Sequence, residues 1–406
     1  MALATRAIFA TLIILLSNFA LAEDETGTTN SAAEAAQQQP GEQDPGFWSQ
    51  FMDKEDNYLD LSQWLIENAY GFLPVPLIIT EPAVDNGLGL AGVFFHKPGP
   101  DDRKPKEGEF MLTDISAVAA LYTGNDSWMV GGGHFNTMRE DTRRYTGTIG
   151  YADINLDFYG SEGNLPGPIE KVGFNAKGFF TDQKFEFRLG ESDWFLGGDW
   201  RYLQTDVSLT TGTILDDLPG LGRNITVSGL GLIGHYEKLN SRQSPTKGFS
   251  AYINGMWNDE AIGSDYDYNE LKWEIRQYFE LGDKWMLSWR FDGARTDGDV
   301  PFFLEPYINI EGIPALRYQG PTAATAELRG GYNFTPRWSA IAFGGGGRVG
   351  DNISDLGSAT SNTAVGAGFR YVLAKLLGMR VGVDVARGPE DTYVYLVVGS
   401  AWATGL

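Results

Sequence analysis

Residues 311–351 hold the side chains with the most specific chemistry in this chain of 406 residues. They read EGIPALRYQG, then PTAATAELRGGYNFTPRW, then SAIAFGGGGRVGD. Arg317 lies in a loop, Glu327 and Arg329 share one face of the next segment, and a glycine run at 344–347 follows. An arginine is always charged and offers a planar fork of donors that matches a carboxylate. Such a pair holds two segments together; it does not cleave a bond. The other candidates for chemistry are weaker. His96, His134 and His235 have no metal-ligand spacing and no motif partner, and nothing marks a Ser/His/acid constellation. The glycine run lacks a following Lys-Ser/Thr and opens no helix, so it reads as a close backbone approach or a kink in a strand. The acidic pairs Asp216 and Asp217, Asp297 and Asp299, and Asp351 and Asp355 read first as solvated loops, with divalent-cation binding as the alternative. With no cysteine there is no disulfide or thiolate chemistry. The expectation is a protein that is not an enzyme and has no catalytic residue, metal or cofactor.

Glu327 and Arg329 share a face because the segment around them has a period of two. Over 284–293, Trp285, Leu287, Trp289 and Phe291 alternate with Lys284, Met286, Ser288, Arg290 and Asp292. Over 271–276, Leu271, Trp273 and Ile275 alternate with Lys272, Glu274 and Arg276. Over 380–385, Val381, Val383 and Val385 alternate with Arg380, Gly382 and Asp384. Aromatic-rich apolar faces opposite charged faces suit strands with lipid outside and a polar lumen inside. The 52 glycines and 13% aromatic residues fit the same class. A net charge of −22 argues against binding nucleic acid through bulk charge.

Sixteen segments carry the pattern, near 73–81, 86–96, 112–123, 126–138, 142–158, 171–189, 193–209, 225–238, 248–258, 266–281, 284–296, 321–333, 336–349, 362–374, 379–387 and 391–402. An even count is what a closed antiparallel barrel of the bacterial type requires. The expected fold is therefore all-β, a transmembrane antiparallel barrel over 72–406. If the first strand starts in the periplasm, the long loop 297–320 is extracellular and the tight turns at 282, 334 and 375–378 are periplasmic. The segment 97–111 is longer than that side normally carries.

Upstream, residues 1–22 have a basic n-region at Arg6, an apolar stretch and a small-residue cleavage site at Ala20-Leu21-Ala22, as in a secretory signal peptide. Residues 23–56 are acidic and poor in apolar groups, which predicts a disordered leader. Residues 57–71 predict a short amphipathic helix, with Asp60 as N-cap and Leu61, Trp64, Leu65 and Asn68 on one face.

Four stretches resemble the bacterial surface-antigen barrels, the BamA/TamA-type outer-membrane superfamily, over roughly 70–402. FLPVPLIITEPAVDNGLGL at 72–90 looks like the first hairpin of small members. SPTKGF at 244–249 is similar to a mid-barrel Pro-x-x-Gly signature. ALRYQG at 315–320 resembles the loop motif Val-Arg-Gly-aromatic, and TAELR at 325–329 with FGGGGRVGD at 343–351 resembles the strands that receive the loop. The resemblance implies a bacterial outer membrane of the Gram-negative type, lipid surroundings, and a client protein or a periplasmic partner. It implies a role in protein or lipid translocation or insertion, or in membrane biogenesis. It implies that loop residues Arg317, Tyr318 and Gly320 lock onto lumenal Glu327 and Arg329. It also implies a seam between the first and last strands, at Leu73, Thr80, Tyr393 and Trp402. The chain departs from the pattern in three ways. Tyr318 rather than glycine follows Arg317, Gly345 fills a slot usually held by Asp, leaving Asp351 or Glu305 as possible substitutes, and the space upstream of Phe72 suits the small branch without periplasmic client-binding domains. The alternatives are a passive or plugged pore, with Lys272, Arg276, Arg290, Arg329, Arg348 and Arg370 setting selectivity, or a structural surface antigen.

Overall fold

A computed structural model describes residues 51–63, 71–96, 114–160, 165, 170–210, 220–242, 244–399 and 402. The expected signal peptide, most of the leader, the segment 97–111 and residues 64–70 of the expected helix lie outside these residues. The chain forms sixteen strands: β1 Gly71–Ile79, β2 Gly87–Phe95, β3 Asp114–Thr123, β4 Trp128–Met138, β5 Arg143–Phe158, β6 Val172–Arg188, β7 Trp194–Leu209, β8 Gly222–Leu239, β9 Gly248–Asn258, β10 Tyr268–Leu281, β11 Trp285–Gly298, β12 Thr322–Asn333, β13 Trp338–Gly350, β14 Asn362–Ala374, β15 Met379–Arg387 and β16 Thr392–Val398. Each pairs antiparallel with its sequence neighbours in one sheet that runs from β1 to β16. No helix among the described residues is long and apolar enough to cross a membrane. All sixteen segments of the sequence pattern are strands.

The alternation sorts the side chains. Leu88, Leu90, Val118, Ile149, Leu232, Trp257, Trp285, Leu328, Val365 and Phe369 are exposed on the outer face. A belt of this size is unstable against water and suits hydrocarbon. The inner face is divided. On β1 to β6 it is apolar and tightly filled by Val75, Leu77, Ala91, Val93, Ala117, Ala119, Met129, Ala152 and Phe180. That apolar packing fills only part of β5 and β6; from β5 to β15 the inner face also carries charges, with Arg144, Asp199, Arg276, Arg290, Glu327, Arg329, Arg370 and Asp384 all buried. The strands at the ends of the sheet are the shortest. β1 and β15 have 9 residues and β16 has 7, against 16 to 18 in β5 to β8. A strand needs roughly 9–11 residues to cross a bilayer, so β16 is the one that falls short.

Residues 51–62 close one rim. Met52 and Leu59 form a β-bridge across a turn in which Asn57 takes a positive φ of 56°. Leu61 is buried against Leu373, Ala374 and Met379, and its N–H donates to the Leu373 carbonyl at 2.8 Å. The turn after β12 supplies Arg337, whose guanidinium reaches three carboxylates at once: Asp53, Asp60, and Asp56 at 2.7 Å. The turn after β14 adds Lys375, paired with Glu55 at 2.5 Å. Two expectations change here. Residues 51–56 of the leader have a defined conformation, because this arginine gathers their acids. Residues 57–61 are turn and bridge rather than helix, because the same carboxylates must point at one guanidinium; within 57–71, Ser62 and Gln63 alone are helical among the described residues. Asp60 still caps them, accepting from the Ser62 N–H at 2.6 Å.

The Arg337 hydrogen bond holds the Asp56 carboxyl below the ordinary value of 3.8. Burial pushes Asp60 up, but hydrogen bonds from Ser62 and Arg337 outweigh it and leave that group below 3.8 too. Acids with depressed folded values stabilise the fold above their unfolded value, and that contribution is lost as pH falls through the folded one. The tether is therefore complete at neutral pH and fails at pH values below 3.8. The chain has no cysteine, so a spin label on Tyr58→Cys reports this segment alone. We expect an immobilised spectrum at pH 7, mobilised in strong acid, and mobilised at pH 7 when Arg337→Ala is added.

Candidate functional site

The connection between β11 and β12, residues 299–321, enters the lumen. Its neck is tied by a β-bridge between Tyr307 and Gln319 and by the Gly320 N–H donating to the Pro306 carbonyl at 3.0 Å. Two apolar contacts then anchor it to opposite parts of the wall. Phe302 and Leu316 pack among Phe158, Phe174, Val207, Ile225, Val227 and Tyr268. Ile308, Ile310 and Ile313 pack on Ala323, Val349 and Ala364 of β12 to β14. The glycine run makes room for the second contact. A Cβ on Gly347 would lie 2.5 Å from Ile308 Cγ2, so the close approach expected from the sequence is present and its purpose is to seat the loop. Gly312 turns at the loop tip with a φ of +99°, which favours glycine.

The polar anchoring runs the opposite way from expectation. The loop supplies a carboxylate and the wall supplies guanidiniums. Glu311 Oε2 lies 3.1 Å from Arg329 Nη2. Arg329 also donates to Glu327 at 2.6 Å and to Asp384 at 3.2 Å, and its guanidinium lies over the Phe343 ring, 4.2 Å from the centroid. Arg370 grips both oxygens of Asp384, one at 2.6 Å. Arg290 reaches Glu327 at 3.4 Å and donates to the loop carbonyl of Asn309 at 2.6 Å. Glu327 and Arg329 thus belong to the network that holds the loop. The acid beside them, in place of one at Gly345, is Asp384, fully buried on β15, rather than Asp351 or Glu305.

Arg317 does not pair with Glu327. The chain has left the lumen by that point, after Leu316 turns with a φ of 62°. Arg317 pairs at the rim with Glu390 of the β15–β16 turn at 2.9 Å and stacks on Tyr159 and Tyr318. The Tyr318 hydroxyl donates to the same Glu390. Arg317, Tyr318 and Gly320 therefore hold the loop at its neck, and Glu311 holds it at depth. Glu311, Glu390 and Asp384 were missed as partners. Asp384 alone had a signal, its inward place in the alternation of β15.

Among the described residues, β1 and β16 form no ladder. Leu73 lies on β1 and Tyr393 on β16, while Thr80 follows β1 and accepts at its Oγ1 from the Leu396 N–H at 3.3 Å. Trp402 is not in the seam strand. β16 ends at Val398 and the chain turns into the lumen, where the Trp402 carbonyl accepts from Arg276 Nη1 at 2.7 Å and the indole lies near Arg290 and Arg329. These buried cations and the large apolar ring draw it inward. The loop touches both sides of the seam. Its Gly312 N–H donates to the Tyr395 hydroxyl of β16 at 2.9 Å, and its Ala315 N–H donates to Glu81 of the β1–β2 turn at 3.2 Å.

The cations considered for pore selectivity are mostly engaged. Lys272 pairs with Glu270 at 2.7 Å and Arg276 with Glu274 at 3.2 Å. Arg348 sits on the face opposite Val349 and donates to the Leu356 carbonyl at 2.8 Å, so it does not line the lumen with the others.

The barrel is similar to three solved structures. BamA from Haemophilus ducreyi lacking POTRA domains 1-3 matches with a TM-score of 0.54 and 14% identity, over 81% of this chain and 70% of that one. CdiB from Escherichia coli gives 0.53 and 10%, over 80% and 61%; CdiB from Acinetobacter baumannii gives 0.51 and 13%, over 80% and 59%. This chain thus spans about three fifths of either CdiB chain. No family model and no curated protein sequence matches. At these identities the likeness establishes the fold: a sixteen-stranded barrel of the BamA and CdiB kind, as the resemblance implied.

Removing one partner from a buried ion pair leaves a bare charge, at a cost of about 3–5 kcal/mol. Asp384→Ala, which strands Arg370 and weakens the hold on Arg329, should lower the unfolding free energy by about that amount. The guanidinium unfolding midpoint of the refolded barrel measures it. The double variant Asp384→Ala/Arg370→Ala should recover part of the loss.

Proposed function

We propose that the protein is an outer-membrane barrel that translocates or inserts a protein client, or lipid, through a lumen and seam held shut by the loop 299–321. The observation that carries this reading is the loop's double attachment: one hydrogen bond reaches β16 and another the turn after β1, across a junction with no ladder among the described residues. Withdrawing the loop would release both sides together. The apolar outer belt supports a membrane setting, and the BamA and CdiB fold likeness supports the class of task. The work is conformational, with no covalent step. Partners are the surrounding lipid and a client, or a periplasmic protein delivering it to the rim closed by residues 51–62. A passive pore would need free lumenal charge, and the arginines facing the lumen are largely neutralised.

Planar-bilayer recording and photocrosslinking test the reading together. The wild type should conduct little. Glu311→Gln and Gly347→Ala, which remove the deep ion pair and crowd Ile308, should raise conductance and its flicker. Large stable unitary steps in the wild type would instead indicate a passive pore. Photoreactive residues at Pro74 on β1 and Val394 on β16 should capture a translocating client in cells; failure of both to capture any would sink the seam model.

A further inference from the structure

Two of the three histidines, remote from each other in sequence, meet on the outer face of the barrel. The ladder between β3 and β4 sets Ser116 opposite His134 and Asp114 opposite Asn136. The end of β2 brings in His96, whose backbone N–H donates to the Asp114 carbonyl at 3.0 Å. Val118 and Val130, an even number of residues away on the same strands, are exposed outward, so these side chains leave the barrel on the outer side. They sit at the end of the barrel where residues 51–62 close the rim. The sequence spacing predicts no ligand set for His96 and His134; the strand register creates one.

We infer that His96, Asp114 and His134 form a site for a divalent transition-metal ion of the zinc class. His96 Nε2 lies 4.0 Å and His134 Nδ1 3.7 Å from the same oxygen, Asp114 Oδ1. The three donor atoms all fall within 4.8 Å of one another. That carboxylate oxygen is the second, independent observation: it is shielded from solvent and has no hydrogen-bond partner among the described residues. A buried anionic oxygen left unpaired is costly, and a cation between it and the two imidazoles would satisfy it. Its sister oxygen is held by Asn136 Nδ2 at 2.9 Å, the kind of outer support that fixes a ligating carboxylate. The Ser116 hydroxyl stands between the rings, 2.8 Å from His96 Nε2 and 2.9 Å from His134 Nδ1. It satisfies both imidazoles but not the carboxylate.

Ligands at the usual zinc distances of about 2.0–2.1 Å are roughly 3.4 Å apart around a tetrahedron. The donors, now within 4.8 Å of one another, would draw together to that value around the ion. Two imidazoles and one carboxylate suit Zn²⁺, Co²⁺ or Ni²⁺, whereas Mg²⁺ and Ca²⁺ prefer all-oxygen shells. Three protein ligands leave a coordination position for water. The site would clamp β2 to β4, the strands next to the seam on the β1 side.

The full chain, refolded in detergent and stripped with chelator, is titrated with Co²⁺ and then Zn²⁺. One ion per chain is expected, with the visible absorption of low-coordinate Co²⁺ bleached by Zn²⁺. His96→Gln and His134→Gln should each weaken Zn²⁺ binding by about a hundredfold or more, beyond the loss typical of an outer-shell partner. His235→Gln, which removes a lumenal histidine paired with Glu186, should bind like the wild type. X-ray absorption on the wild-type Zn²⁺ complex needs no variant and should show two imidazole ligands. The absence of saturable binding, equal binding in His96→Gln and His134→Gln, or an oxygen-only shell would each overturn the site.

Discussion

Arg329 lies in the lumen with its guanidinium against Phe343 and three carboxylates around it, Glu311, Glu327 and Asp384. Taking such a charge out of water is repaid only when its donors are all matched. The wall supplies two of the three acids and the third must come from the loop. The loop's position is thus bound up with the solvation of a charge on β12, and the apolar anchors of Ile308 and Phe302 act in the same direction. The same cluster explains why the end of the chain turns inward, since Trp402 offers a flat ring to Arg290 and Arg329 and a carbonyl to Arg276.

The lumen is therefore two environments. One part, centred on β1 to β4 with Ala152 and Phe180 beside it, is packed with apolar side chains, so its strands are fixed by shape. The other part is fixed by charge. The junction of β16 with β1 falls between them, where the strands are shortest and, among the described residues, the backbone ladder is missing. Backbone pairing is what makes a strand costly to pull away. A junction bridged instead by a threonine hydroxyl and by two loop N–H groups donating to Tyr395 and Glu81 has fewer bonds to break.

Most of the fold was legible in the sequence because a half-lipid, half-lumen strand must alternate, and alternation survives even where the lumen is charged. The presence of Glu327 and Arg329 in the site was legible for the same reason. The partner of Arg317 was not. Motif likeness placed an arginine opposite a wall acid, but where the loop bends, at Leu316, decides which of its residues reach the interior, and a bend in an irregular segment leaves no periodic trace. Glu311 therefore took the interior role and Arg317 stayed at the rim with Glu390. The histidine cluster escaped for a related reason: its members lie on three strands, and register between strands is a property of the assembled sheet. The acids of residues 53–56 looked like composition for a leader and Asp60 like a helix N-cap, although their spacing is what allows three of them to converge on Arg337.

The contacts that finish the molecule join distant parts of the chain. Arg337 meets Asp53 across 284 positions, Ala315 meets Glu81 across 234, and Arg276 meets Trp402 across 126. The hairpins between consecutive strands are local and can form as the chain is delivered. The long-range contacts pay the entropy of closing large loops before they return any stabilisation. Trp402, beyond β16, supplies a carbonyl and a ring to the arginines on β10 to β12, so this contact too waits until those strands are in place. Assembly of this barrel is thereby ordered in time: an open curved sheet first, and the rim tether, the lumenal loop and the tail as late events that convert it into a closed molecule.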